Sequence, residues 1–249
     1  MTGNYFSERR SCRNFRNEKI SSRQIKSIIE RAVKAPTCGN MQLYSIIVTE
    51  SPELLRKLSR CHYDQPASAT APLLITVCAD FNRFTKWCEI NKANAGYDNF
   101  HSFLTAMTDA VIVAQQIVTI AEQEGLGTCY LGTVTYNAKE ISEILNLPSL
   151  VVPVAAIALG VPEKEGEKTD RLPLEGVLHY DTYKEPRDFE VIDIYKIHDE
   201  NPENDKFIKE HNKENLAQVF AEIRYPKDMN EQVSASFMDL LKEKGFLGK

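Results

Sequence analysis

Apolar positions after residue 20 recur with the spacing of an amphipathic helix, which predicts a helix over 21–34. Ser21 and Gln24 have the spacing of a capping box at its start, and Pro36 ends it. The apolar stripe consists of Ile25, Ile28, Ile29, Ala32 and Val33. Two shorter helices are predicted over 52–61 and, with Asn137 as its N-cap, over 137–145.

Three runs of apolar residues have the length of buried β-strands, and they lie at 43–49, 73–79 and 151–159. The last run belongs to an uncharged stretch, 147–162, which is too short to cross a membrane and contains three prolines. A buried strand therefore explains this stretch better than a membrane span does.

A long segment, 106–124, is apolar on nearly all sides, which predicts a helix buried either centrally or at a subunit interface. Gly125 and Gly127 are expected to end this helix. The pattern of few strands and many helices around one sheet predicts an α+β fold.

The chain becomes strongly polar after about residue 183, where two amphipathic stretches appear near 205–223 and 231–244. They predict a C-terminal helical extension, 186–249, that wraps either the core, 1–185, or a partner subunit.

Composition and charge limit the possible functions. The 249 residues are 43% hydrophobic and 26% charged, which is ordinary for a globular protein. The formal net charge of -5 gives no bulk attraction to nucleic acid or to an anionic membrane, so neither is an expected partner. Any site for an anion must therefore be a local cluster of basic side chains.

Six cysteines and five histidines show no spacing typical of metal ligands, so no metal site is predicted. The first 16 residues carry Arg and Glu where a signal peptide would be apolar. We therefore expect a cytoplasmic protein with reduced thiols. Each histidine is expected to be a satisfied or solvent-facing side chain.

Three arginines and a serine lie close together in the segment Arg9-Arg10-Ser11-Cys12-Arg13. Guanidinium groups bind phosphate through paired, charge-assisted hydrogen bonds, and a serine hydroxyl adds a small donor. The segment is therefore either a phosphate site or a solvated basic stretch before a helix. Arg171, after an acidic loop, is either a second phosphate cation or a member of a loop salt bridge.

Two turns could offer backbone N–H groups to a flat polar ring, or could simply join a helix to a strand. The first, 37–42, contains Cys38, which has no base beside it in sequence. The second, 125–133, has the order G-x-G-x-x-x-x-G and follows a helix, which argues against a dinucleotide fingerprint.

Taken in order, these segments resemble the FMN-dependent nitroreductase family, most closely its oxygen-insensitive NADPH nitroreductase and flavin reductase branch. The similarity covers most of 4–183 and rests on four motifs in register. They are R-R-S-x-R, the A-P-T turn at Ala35, G-L-G-x-x-Y-L-G from Gly125, and the run from Pro153 to Leu174 that contains Arg171-Leu172-Pro173. The resemblance implies a nitroreductase-like fold with a central mixed or antiparallel sheet flanked by helices. It also implies an intertwined homodimer with one FMN in each of two interface sites.

The resemblance assigns site residues position by position. Arg9, Arg10, Ser11 and Arg13 would hold the FMN phosphate, and Arg171 would complete the cage. Thr37, Cys38 and Gly39 would line the ring from the other subunit, and Gln65 would face the flavin. Tyr130, Leu131, Gly132 and Thr133 would approach the flavin and place a backbone N–H near N5.

The function implied by the resemblance is an NAD(P)H oxidoreductase that reduces nitroaromatics, quinones or free flavin by a ping-pong hydride mechanism. No general base is required, so no catalytic side chain is assigned. A flavin-dependent dehydrogenase or dehalogenase with a specific small substrate would also fit the family. A flavin-binding redox protein without general reductase activity, and a protein whose arginines are only surface charge, are two further hypotheses.

Two departures from the branch stand out. Thr169, with Lys168 beside it, occupies the position where the branch often has a lysine two residues before the arginine that matches Arg171. The segment 133–135 lacks the arginine that the branch tends to carry near the substrate. The acceptor and the choice between NADPH and NADH therefore stay open, and Arg224 is a further candidate for the pocket lining.

Overall fold

The computed structural model describes residues 5–248. Residues 1–4, which begin the segment expected to lack a signal peptide, and residue 249 lie outside the described residues. The described chain forms two compact units: the first contains 5–167 and 233–248, and the second contains 168–232. The predicted division into a core, 1–185, and an extension, 186–249, stays a prediction.

The first unit is built on a four-stranded antiparallel sheet with the strand order β1-β2-β4-β3. The strands are β1 (Tyr44–Thr49), β2 (Leu73–Asp80), β3 (Gly127–Tyr130) and β4 (Val151–Gly160). Every residue of β2 is buried, as the continuous apolar run predicts. Pro153 lies in the central strand β4 at a register shift opposite Val77 and Cys78, where the ladder is already interrupted and its missing N–H costs little.

Helices cover this sheet. The helices that lie wholly in the first unit are α1 (Tyr5–Glu8), α2 (Ser22–Ala32), α3 (Pro52–Cys61), α4 (Pro66–Thr70), α5 (Asn82–Ile90), α6 (Phe100–Gln123) and α7 (Ala138–Ile144). The α+β fold class is thereby confirmed. The predicted helices over 21–34, 52–61 and 137–145 and the three predicted strands are confirmed to within a few residues at their ends.

The central element of the first unit is α6, which packs with α2 and the sheet in one hydrophobic cluster. It begins six residues earlier than predicted, because the side chain of Asn99 caps it by accepting the N–H of Ser102 at 3.0 Å. Its length and apolarity would also allow it to cross a membrane. Its buried face, however, contacts the sheet, as expected for the core helix of a globular unit.

Local hydrogen bonds differ from the sequence prediction at two helix starts. Ser21 caps α2 by accepting the N–H of Gln24 at 3.2 Å, but the Gln24 side chain donates to Glu124 instead of completing a capping box. The Asn137 side chain does not cap α7; it donates to the carbonyl oxygen of Cys61 at 2.6 Å. In both cases the side-chain amide donates to a distant acceptor instead of accepting a local backbone N–H.

The glycine-containing segment after α6 is not the loop of exposed N–H groups that the sequence analysis allowed. Residues 127–130 form the edge strand β3, and the N–H of Leu131 donates to the carbonyl oxygen of Ala156 at 2.9 Å. Gly125, with φ of +83°, ends the helix as predicted. Gly127 instead begins the strand, because β4 offers it a hydrogen-bonding partner.

The second unit is mainly helical. It contains α8 (Asp188–Asp199), α9 (Pro202–Glu210), α10 (Leu216–Gln218), a π-helical turn (Val219–Arg224) and the start of α11 (Lys227–Glu243), whose remainder belongs to the first unit. Helix α8 was not predicted as a separate element. The stretch predicted near 205–223 is broken after α9, where Asn212 adopts φ of +52°. The stretch predicted near 231–244 is confirmed as part of α11.

Candidate functional site

The arginine-rich segment runs beside the edge strand β3. The N–H of Cys12 donates to the carbonyl oxygen of Thr128 at 2.9 Å. The approach is so close that a Cβ placed on Gly127 would lie 2.6 Å from the Cβ of Cys12. Glycine at this position therefore lets the segment lie directly on the strand.

Arg9 is paired with a carboxylate at the end of α6. Its guanidinium lies 3.1 Å from Glu122, whose side chain is only 9% exposed. Glu122 also accepts hydrogen bonds from the hydroxyl of Tyr5, at 2.6 Å, and from the hydroxyl of Thr128. Burial and this carboxylate raise the pKa of Tyr5 to about 12, so Tyr5 stays a donor. The charge of Arg9 is therefore largely neutralised inside the protein.

Arg10 contacts the loop 163–167. Its guanidinium lies 3.1 Å from Glu165 and donates to the carbonyl oxygen of Gly166 at 3.3 Å. Its Nε atom is buried and has no hydrogen-bond partner among the described residues. An unsatisfied buried donor is costly, so this nitrogen favours an acceptor nearby.

Ser11 and Arg13 line a separate cavity of about 180 Å³, together with Asn14 and Lys164. Arg13 is exposed and makes no ion pair with a described residue. A cavity of this size with a serine hydroxyl and a free guanidinium suits the phosphate group of a nucleotide. Acidic residues also border it, at Glu165 and Glu167.

The turn that contains Thr37, Cys38 and Gly39 is held by one buried carboxylate of α6. Asp109 is fully buried; its Oδ1 accepts the N–H of Cys38 at 2.7 Å and its Oδ2 accepts the N–H of Leu43 at 3.1 Å. Gly39 adopts φ of +56° between these two anchors, a conformation that glycine accepts without strain. Asp109 was not among the predicted residues, although a single acidic residue inside an apolar helix was a readable signal.

Asp109 also affects the chemistry of Cys38. A hydrogen bond to this carboxylate, with burial as a smaller cause, raises the pKa of the Cys38 thiol. The thiol is therefore a weaker nucleophile at neutral pH than an ordinary cysteine. This result favours a role for the turn in lining a site over covalent catalysis by Cys38.

Gln65 and Thr133, which are far apart in sequence, are brought together. The side-chain amide of Gln65 donates to the hydroxyl of Thr133 at 3.3 Å, and Nδ1 of His62 lies 2.9 Å from the same oxygen. His62 is almost fully buried, and burial lowers its pKa to about 4, so the imidazole is neutral. His62 is thus a satisfied histidine, and it contacts Thr133, which in turn accepts the hydrogen bond from Gln65.

The remaining predicted residues differ in accessibility. Tyr130 is 37% exposed, and burial of its ring raises the pKa of its hydroxyl to about 12. Leu131 packs in the core, so its side chain is not available to a ligand. Gly132 lies at the start of a 3₁₀ turn, and a Cβ on it would meet nothing within 4 Å, so its backbone is open to a ligand.

Arg171 lies in the second unit, where its guanidinium donates to the hydroxyl of Thr169 at 2.7 Å and to the carbonyl oxygen of Asp170 at 2.8 Å. It forms no salt bridge within the part of the chain that the structure describes. Its assignment to a phosphate cage stays a prediction. Among residues 5–248, no group of three or more His, Cys, Asp or Glu side chains could hold a metal ion.

Comparisons with known proteins identify the family. The model described as "Nitroreductase family" matches residues 6–161. The chain is 32% identical over 187 residues to an FMN reductase [NAD(P)H] of Bacillus subtilis, and the match covers 71% of this chain and 72% of that protein.

Solved structures agree with this result. A protein of Bacteroides fragilis described as an oxidoreductase is 40% identical, with a TM-score of 0.95 over 97% of this chain and 98% of its own. The NfrA1 nitroreductase of Bacillus subtilis is 28% identical, with a TM-score of 0.83 over 97% of each chain. The chain belongs to the nitroreductase family, and the resemblance found in the sequence is confirmed.

Replacing Asp109 with Asn should affect both the turn and its thiol. The amide can accept only through one oxygen, so one buried N–H loses its acceptor and the free energy of unfolding should fall by about 1–3 kcal/mol. Loss of the negative charge should also lower the pKa of Cys38. The pH at which alkylation of Cys38 reaches half its maximal rate should therefore shift downward, as measured by mass spectrometry of the modified peptide.

Glu122→Gln, at the other buried carboxylate of α6, is the matched control and should leave the alkylation profile of Cys38 unchanged. A higher maximal rate without a shifted midpoint would mean that the turn had only become more exposed. That result would contradict the electrostatic role of Asp109.

The neutral His62 should make stability depend on pH. Its pKa is about 4 when folded and about 6.5 when unfolded, so below pH 6.5 the unfolded chain binds the additional proton. The contribution is fully present above pH 6.5 and should be lost as the pH falls toward 4, by up to about 3 kcal/mol. Urea unfolding between these pH values measures the slope. His62→Gln should reduce it, whereas the same change at the exposed His101 should leave it unaltered.

Proposed function

We propose that this member of the nitroreductase family is an FMN-dependent NAD(P)H oxidoreductase that reduces nitroaromatics, quinones or free flavin. The observation that carries the proposal is a cavity of about 180 Å³ whose lining includes the hydroxyl-bearing Ser11 and the guanidinium-bearing Arg13, which makes no ion pair with a described residue. The name FMN reductase, borne by a relative that the chain matches over 71% of its length, supports it.

The chain's own residues bind and orient the cofactor in this proposal. Bound FMN supplies the hydride chemistry at its N5 atom. Ser11 and Arg13 hold the phosphate, while the turn carrying Thr37, Cys38 and Gly39 lines the ring. Asp109 accepts two backbone N–H groups at the ends of that turn, so the turn is already ordered when the ligand binds.

Gln65 and Thr133 form the polar edge of the proposed site. Their mutual hydrogen bond, together with buried His62, limits the rotamers that each can adopt. The neutral imidazole adds no charge at this position. Tyr130 and the open backbone of Gly132 complete the ring contact, and Arg171 is retained as a phosphate ligand from the family resemblance alone.

We propose further that the protein is a homodimer and that each site uses residues of both subunits. Support comes from an exposed apolar stripe on α6, formed by side chains that are 39–45% exposed. The stripe consists of Phe100, Leu104, Met107 and Val111. A cytoplasmic location is part of the proposal, since all six cysteines, which lie within the described residues, are free thiols.

The purified protein should carry flavin absorbance that bleaches when NADPH or NADH is added anaerobically. Arg13→Ala should weaken FMN binding by about 10–100-fold, because a charge-assisted contact is worth about 1.5–3 kcal/mol. Arg16→Ala, an exposed arginine three residues away, is the matched control and should bind FMN normally. Binding is measured by quenching of flavin fluorescence.

A colourless protein that takes up no added FMN would contradict this function. A flavoprotein that is reduced by NADPH but turns over a generic quinone slowly would instead support a dehydrogenase or dehalogenase with a specific substrate. Bound flavin that neither nucleotide reduces would support a redox protein without general reductase activity.

The proposed dimer should dissociate when charge is placed in the stripe. Leu104→Glu should shift the sedimentation coefficient toward that of a monomer, because a buried carboxylate without a partner is strongly unfavourable at an apolar interface. Gln123→Glu, exposed at the end of the same helix, should remain dimeric. Unchanged sedimentation of the Leu104 variant would show that the stripe is not the interface.

A further inference from the structure

Lys164 supplies a positive charge beside the cavity that contains Ser11 and Arg13, although this lysine is not at the position usual in the branch. The branch often has a lysine where this chain has Thr169, and the hydroxyl of Thr169 accepts a hydrogen bond from Arg171. Threonine supplies no charge. Lys164, five residues earlier, lines the cavity that also contains Ser11 and Arg13.

Backbone contacts hold the loop that carries Lys164 against the arginine-rich segment. The N–H of Glu163 donates to the carbonyl oxygen of Asn14 at 3.1 Å, and the N–H of Arg16 donates to that of Val161 at 2.9 Å. Phe15 and Pro162 form an isolated β-bridge between these two contacts. Lys164 therefore directly follows residues whose backbone is hydrogen-bonded to the arginine-rich segment, so its position is fixed at that end.

A second contact holds the loop beyond Lys164. A Cβ placed on Gly166 would lie 2.3 Å from the carbonyl oxygen of Ser11, so glycine is needed for this approach. Lys164 is thus placed between two points at which the loop touches the segment 11–16. The cavity between the two contact points is lined by residues of the segment 11–14 on one side and of the loop 164–167 on the other.

Some of the basic side chains around the cavity form ion pairs and others do not. Arg9 is paired with Glu122 and Arg10 with Glu165, each at 3.1 Å. Arg13 and Lys164 make no ion pair with any residue in 5–248. The cavity lining also contains Glu165, which is paired with Arg10, and Glu167. The ammonium of Lys164 and the guanidinium of Arg13 are therefore the cations at this cavity that a bound anion can pair with.

We infer that Lys164 is a ligand of the FMN phosphate and takes the place of the lysine that the branch carries at the position of Thr169. This inference rests on the proposed function. The ammonium group acts as a point charge, while Arg13 offers its planar fork and Ser11 its hydroxyl. Arg9 and Arg10, whose charges are already paired, position the segment rather than supply the main charge.

The test compares FMN with riboflavin, which has the same ring but no phosphate. In the flavin-depleted full-length protein, Lys164→Gln should weaken FMN binding about tenfold and leave riboflavin binding unchanged. Lys164→Arg should retain most of the affinity. Glu167→Gln removes a negative charge from the same cavity and should tighten FMN binding by a few fold.

Lys168→Gln distinguishes the role of Lys164 from that of the nearby Lys168. This variant should bind FMN as the unaltered protein does. Equal FMN affinity of Lys164→Gln and the unaltered protein would overturn the inference, as would an equal loss for FMN and riboflavin. A loss seen in Lys168→Gln but not in Lys164→Gln would also overturn it. Failure of the unaltered protein to bind FMN at all would instead overturn the proposed function.

Discussion

One buried carboxylate connects the core of this protein to its candidate site. Asp109 lies on the helix that fills the centre of the first unit, and no solvent reaches it. Both of its oxygens accept backbone N–H groups from the turn between α2 and β1. Because a buried carboxylate is stable only when its hydrogen bonds are made, the helix and the turn must be positioned together.

The same construction recurs around the site. Glu122, on the same helix, pairs with Arg9 of the arginine-rich segment. The imidazole of His62, at the end of α3, contacts the hydroxyl of Thr133, to which Gln65 also donates. In each case a polar side chain from a packed element holds a residue that lies in a turn or an extended segment. Site residues held in this way need less ordering when a ligand binds, which improves affinity without adding contacts.

The sequence predicted the elements better than it predicted their connections. Helices with clear periodicity and strands with continuous apolar runs were predicted, because these signals depend on near neighbours. The strand β3 was missed, since its short glycine-containing sequence becomes a strand only through pairing with β4. The exposed helix α8 was missed as well, because it has no buried residues to create a clear apolar stripe.

The candidate site was predicted from sequence motifs, and the structure adds the side chains that hold its residues in place. Ser11 and Arg13 were selected from their residue types, and both line one cavity; their role as phosphate ligands stays a prediction. The partners of Asp109 and Glu122 were not predicted, because they lie 71 and 113 residues away along the chain. The pairing of Arg9 with Glu122 likewise depends on contacts that no local pattern records.

The helix that carries both carboxylates has 24 residues and is therefore about 36 Å long. One residue inserted between Asp109 and Glu122 would rotate one carboxylate relative to the other by about 100°, so that both could not keep their partners. Insertions are tolerated in the loops around the site, but the number of residues between the two acidic residues of this helix is fixed.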